Sequence, residues 1–177
     1  MLVADDAAAQ GRAGSVTRIL VDAVGTLPRG LSDPSQLPGL VASAVVRRLD
    51  ASHREDGDPT WLLFAAAFVT RNSVAVCTAG TLRIELLKHG ALIHETREHV
   101  LANEPLDWVR ATYGDIDTVE HATMITRSLG DGSRPAEIRT WDVAPPYVLI
   151  VRGTSDHHVA ASTVDSSGAI VTLEYRE

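Results

Sequence analysis

The sequence predicts an α+β domain with antiparallel strands, and three observations carry that prediction. Apolar residues recur at helical spacing in two segments near the start. The pattern then changes to short β-type runs separated by tight turns. Helices and strands are segregated along the chain, which argues against a βαβ wind. The chain has 177 residues, with 45% apolar and 22% charged. That length suits one domain, residues 1–177. The composition excludes a disordered chain, a collagen and a disulfide mini-scaffold.

The elements follow in order. Val16, Ile19, Leu20, Ala23 and Val24 mark one face of a helix from about Ser15 to Val24, and Gly25 is a plausible stop. Residues 26–35 hold Pro, Gly, Ser and Asp and read as a loop. Leu37, Leu40, Val41, Ala44, Val45 and Leu49 form the stripe of a second helix, with Arg47, Arg48 and Asp50 toward water. Pro38 falls near its first turn, where a missing N–H costs little. After a polar loop at 51–59, Trp61–Val69, Ser73–Thr78, Leu82–Leu87 and Ala91–Thr96 read as strands of an antiparallel meander. His89-Gly90 is a hairpin turn in which Gly90 takes positive φ. Pro105–Thr112 has the spacing of a short helix. Strands return at Glu137–Val143, Tyr147–Arg152 and Ala169–Tyr175.

Sixteen basic residues against 23 acidic ones give a net charge of −7. No basic run suggests a nucleic-acid footprint. No apolar run reaches the length of a membrane span. Cys77, the single cysteine, has apolar neighbours and reads as a buried free thiol. No Cys/His spacing matches a zinc site. The start turns acidic at Asp5-Asp6 without a basic leader, so the expected location is cytoplasmic. Trp61, Trp108 and Trp141 lie in or beside apolar runs, where core or interface packing is expected. Gly11-Arg12-Ala13-Gly14 does not match a phosphate loop.

Several local motifs are more specific. Val74–Arg83 followed by Leu86–Leu92 resembles a region of the metal-dependent Ser/Thr protein phosphatases (the PPM, or type 2C, family). In that family a strand leads into Gly-Asp-Ser-Arg and then a hairpin turning on Arg-Asp-Gly. Thr96-Arg97-Glu98-His99, with Glu104 beyond, is similar to the family's Thr-x-Asp-His-x-x-x-x-Glu. Met124-Ile125-Thr126-Arg127-Ser128-Leu129-Gly130 is similar to its Val-Ile-Thr-Arg-Ala-Leu-Gly. Val3-Ala4-Asp5-Asp6 falls where the family has Val-x-Asp-Gly-x-Gly-Gly. The resemblance runs over roughly residues 3–176, and 74–130 is its most specific part. It implies a trimmed αββα sandwich: two antiparallel sheets with flanking helices, of the bacterial-type phosphatase-like kind.

The departures bear on function. The resemblance implies carboxylates that hold two Mg²⁺ or Mn²⁺ ions, and two hard cations need several oxygen ligands. Asp5 matches a ligand position, but Asp6, Ala8 and Ala9 replace the glycines beyond it. Thr81 stands at the Asp of Gly-Asp-Ser-Arg. Arg152-Gly153-Thr154 stands at Ser-Asp-Gly, and Ser167-Gly168 at the closing Asp-Asn. In this alignment the chain starts after the family's first strands. The interval from Thr154 to Ser167 is also too short for the family's helices.

The resemblance therefore implies a degenerate, pseudophosphatase-like relative. No cofactor and no catalytic residue is expected. The implied role is a protein-binding, regulatory or scaffold subunit, a homodimer or one seated against a protein partner through an uncovered sheet face. Two alternatives stay open: a phosphatase or other hydrolase using Mg or Mn at a relocated site, and a purely structural subunit. Asp5 and Asp6 are the residual metal candidates, against a solvated pair at a strand end. Arg152 can hold a phosphate or carboxylate, or can pair with Asp5 or Asp6 in place of a metal, and the ion pair is favoured. Asp156 is the remaining candidate, beside His157 and His158, which point to opposite faces if they lie on a strand. Ser155, Asp156 and His157 are too close in sequence to form a triad. Arg83 and Arg127 match family positions and are expected to hold loops.

Overall fold

The computed structural model describes residues 2–6, 13–27, 34–56, 61–70, 72–130, 134–153, 159–164 and 170–176. Three α-helices and nine strands form: β1 (Leu2–Asp6), α1 (Ala13–Gly25), α2 (Leu37–Asp56), β2 (Leu62–Val69), β3 (Ser73–Ala79), β4 (Arg83–Lys88), β5 (Ala91–Glu95), α3 (Leu106–Tyr113), β6 (Glu137–Asp142), β7 (Tyr147–Arg152), β8 (Val159–Val164) and β9 (Ile170–Arg176). One sheet has the order β1-β2-β3-β6 and the other β5-β4-β7-β8-β9, and every pairing is antiparallel. The expected α+β architecture of two facing sheets with helices outside is present.

Alternation along β2 explains how the layers join. Leu62, Phe64 and Ala66 point to the helices, where they meet Ile19 and Ala23 of α1 and Val41, Val45 and Leu49 of α2. Ala65 and Ala67 point the other way, into a core between the sheets with Val76, Ile84, Leu86, Leu149 and Val151. A strand buried on both faces reads as a continuous apolar run, as Leu62–Val69 does. Cys77 lies in the helix-side core as a free thiol, and burial raises its pKa to about 12.

The single meander expected over 61–96 is two hairpins in different sheets. β2 pairs with β3, and β4 pairs with β5, but β3 and β4 part. The chain leaves the first sheet at Gly80, whose φ is 82°. A Cβ there would collide with the Leu63 side chain, so this crossing needs glycine. The β4–β5 turn forms as expected, with His89 at φ 53° and Gly90 at 78°.

Smaller corrections follow from packing. Val24 is exposed, and among the described side chains of α1 it is Ile19 and Ala23 that are buried in the core. Trp61 is 46% exposed, while Trp141 is buried and stacks on His94. β1 and β8 are strands that periodicity did not mark. No helix among the described residues is long and apolar enough to cross a membrane.

Candidate functional site

Strand register brings the sequence-selected positions to one end of the sandwich. Asp5 and Asp6 are the last two residues of β1, opposite Leu63 and Leu62 of β2. Leu63 covers Gly80. Two residues beyond Thr81, Arg83 opens β4 and lies opposite Arg152, the last residue of β7. The side chains of Asp5 and Asp6, and all of Asp156, His157 and His158, lie outside the described residues.

Arg152 and Arg83 are like charges in direct cross-strand register, which is unfavourable alone. Glu85, two residues along β4, resolves this. Arg152 Nε donates to Glu85 Oε2 at 2.9 Å, and Arg83 Nη2 lies 3.2 Å from Glu85 Oε1. Glu85 is 8% exposed, so one covered carboxylate bridges two half-exposed guanidiniums. The pairing expected with Asp5 or Asp6 concerns side chains outside the described set; the carboxylate Arg152 reaches among the described residues is Glu85.

A second constellation lies beside this end, on the segments before and after α3. His99 N donates to Gly80 O at 2.8 Å, and Thr126 N donates to His99 O. The His99 ring is fully buried, with Nε2 2.9 Å from Glu137 Oε2. Arg127 Nη1 lies 3.2 Å from the same Nε2, so an acceptor, Glu137, and a donor, Arg127, converge on one ring nitrogen. Burial lowers the His99 pKa, the nearby Arg127 and Arg97 charges add to this, and Glu137 opposes it. His99 Nδ1 has no hydrogen-bond partner among the described residues.

Glu137 is the hub. Arg139 reaches its Oε1 through Nε at 2.7 Å and Nη2 at 2.6 Å. Arg97 Nε and Arg127 Nη1 lie 3.5 Å and 3.6 Å from Oε2. Burial works against the Glu137 charge, but the hydrogen bonds from His99 and Arg139 outweigh it and hold the carboxyl at about 2. Glu104 is the second acceptor. It takes a hydrogen bond from Thr126 Oγ1 at 2.8 Å and lies 3.1 Å from Arg134 Nη1. Burial opposes its charge, and Thr126 and Arg134 reverse that and lower its pKa. Arg134 also covers the Trp108 ring at 4.5 Å.

Sequence reasoning singled out His99, Glu104 and Arg127 only as motif matches. It missed Glu137 and Arg139. The signal was their i, i+2 spacing on a strand that also carries Trp141, which puts all three on the inner face.

No protein-family model matches the chain, and no curated protein gives a significant match. Solved structures do match. PppA, described as a key regulatory component of T6SS in Pseudomonas aeruginosa, aligns with TM-score 0.59 and 20% identity over 85% of this chain and 63% of that one. The catalytic domain of the serine threonine protein phosphatase PstP, in complex with two manganese ions, aligns with TM-score 0.60 and 17% identity, over 88% and 67%. The S. agalactiae serine/threonine phosphatase aligns with TM-score 0.62 and 18% identity, over 85% and 65%.

The fold is that of the PPM-type Ser/Thr phosphatases.

The chain spans just under two-thirds of PppA. The PPM-type resemblance implies a pair of divalent cations, and the described residues at two of the implied positions supply no carboxylate. Thr81 offers a neutral hydroxyl and Gly153 no side chain, and Arg152 beside it is a cation already engaged with Glu85. Among the described residues, no three His, Cys, Asp or Glu side chains form a group able to hold a metal ion. A two-metal site needs several carboxylate oxygens at such positions.

Proposed function

We propose that this chain is a non-catalytic PPM-like module that works by binding a protein partner or a second copy of itself. The observation that carries the reading is Arg152. It stands next to Gly153, which falls where the resemblance places a metal-binding Asp, and its guanidinium is bonded to Glu85. A cation fixed there opposes a divalent ion and leaves the bridging-water chemistry without its ligands.

Binding as the role draws support from two further observations. α1 and α2 pack on the first sheet. On the outer face of the second sheet, Leu87 and Val148 stay half-buried and Leu92 is 52% exposed. A partly covered apolar face suits a contact surface. PppA is itself described as regulatory within a larger system, and a scaffold or competitor role here is the matching reading.

The test is hydrolysis of p-nitrophenyl phosphate by the whole chain with Mn²⁺ or Mg²⁺. No turnover above the protein-free rate is expected. Metal-dependent turnover that Asp5→Ala abolishes would replace this reading with a relocated hydrolase site. Light scattering over a concentration series tests self-association, and a strictly monomeric chain leaves a separate partner as the binding role.

A further inference from the structure

We propose that the cleft between edge strands β5 and β6 is an oxyanion site, and that it takes an acidic segment of a partner peptide. The cleft has a volume of about 670 Å³ and is lined by Arg83, Arg97, Arg139, Glu95 and Glu98, with Thr96 and Asn103. Glu95 ends β5 and Arg139 lies on β6, the edge strands of the two sheets.

The charges around the cleft are unbalanced. Six arginines (83, 97, 127, 134, 139 and 152) form ion pairs with only three glutamates (85, 104 and 137). Each glutamate is shared. Glu85 serves two guanidiniums, Glu137 serves three as well as His99, and Glu104 serves two. Three positive charges are left over in a protein whose net charge is −7. Guanidiniums held this close repel one another, and an entering anion relieves that repulsion.

Access is limited to particular members. The Arg127 side chain is 8% exposed and serves the interior. Arg83, Arg97 and Arg139 are 39%, 38% and 43% exposed, and these three line the cleft. Their internal bonds hold them in place, so little side-chain entropy remains to be lost on binding. Glu95 and Glu98 reduce the lining charge to one net positive, so the anion must approach the arginine side. The volume exceeds that of a single small oxyanion and suits several residues of extended chain. The inference uses the binding role above only in choosing a peptide as occupant. Loss of metal chemistry plays no part, so turnover and peptide binding are read separately.

The experiment is fluorescence anisotropy of a labelled oligoglutamate peptide with the whole chain, with an oligoglutamine peptide as control and inorganic phosphate as competitor. The expected result is saturable binding of oligoglutamate only, weakened by added NaCl and displaced by phosphate. Arg83→Gln and Arg97→Gln are each expected to weaken it about tenfold or more. Arg48→Gln, on the outer face of α2, is expected to leave it unchanged. Since Arg97 also holds Glu137, protection of the unmodified chain supplies a second reading. Bound oligoglutamate should shield Arg83, Arg97 and Arg139 from phenylglyoxal, and should not shield Arg48. Absence of peptide binding, binding of phosphate without peptide, equal loss in Arg48→Gln, or no protection of the three arginines would each overturn the proposal.

Discussion

Arg152 and Glu85 sit on adjacent strands of the second sheet, joined by a 2.9 Å hydrogen bond that neutralises a cation whose direct partner on β4 is another arginine. The bond is diagonal across the ladder. Arg152 lies opposite Arg83, and Glu85 comes two residues further along β4 on the same face. One carboxylate therefore settles a cross-strand repulsion and fixes the end of β7.

Glu85→Gln should destabilise the fold by about 1–3 kcal/mol, because two guanidiniums lose a covered charged acceptor. The Arg152→Gln change should cost less, since Arg152 is 42% exposed and solvent screens its pair. An exposed pair of this kind contributes about 0.2–1 kcal/mol. Urea titration of the two single variants and the double variant measures this. Equal costs, or zero coupling, would mean that the bond contributes nothing.

Acid should weaken the fold in two stages. The His99 pKa is lowered by burial and neighbouring arginines, so the unfolded chain binds that proton first. Stability falls as pH drops below the unfolded value near 6.5 and levels below the folded one. Glu137 is held at about 2, against 4.5 when unperturbed. Its contribution is complete above the unfolded pKa and is lost as pH falls toward about 2. Chemical denaturation from pH 8 to pH 3 should show both declines, and His99→Gln should remove the first. A flat profile between pH 7 and pH 5 would contradict the assignment.

Gly80 and Gly90 both take positive φ, but only Gly80 is enclosed. Gly90→Ala meets open space and should cost about 1–2 kcal/mol, the backbone penalty alone. Gly80→Ala adds a collision with Leu63 at the point where the chain changes sheets. Its loss in melting temperature should be clearly the larger. Similar values for the two would show that the crossing at Gly80 is not tightly packed.

The helices and most strands were legible because their patterns are local. Val41, Ala44, Val45 and Leu49 share one face at helical spacing, and all four are buried. β8 was missed because Val159-Ala160-Ala161-Ser162-Thr163-Val164 is small and weakly patterned, and its place comes from pairing with β7 and β9. Sheet membership was not legible either. Spacing marks a turn at Ala79-Gly80, but whether the chain folds back or crosses depends on Leu63 packing on Gly80. Of the candidate site, the motif matches located Arg83, His99 and Arg127, and a departure from the motif located Arg152. The partners Glu85 and Glu137 come from strand register, which one residue's shift would reverse.

The proposed reading requires that the positions expected to hold two divalent ions bind none. Thermal unfolding of the whole chain with rising Mn²⁺ tests it most directly, since a ligand that binds the native state raises the melting temperature as its concentration passes Kd. The expected result is no saturable shift at millimolar Mn²⁺. A saturable rise that Asp5→Ala abolishes would contradict the account.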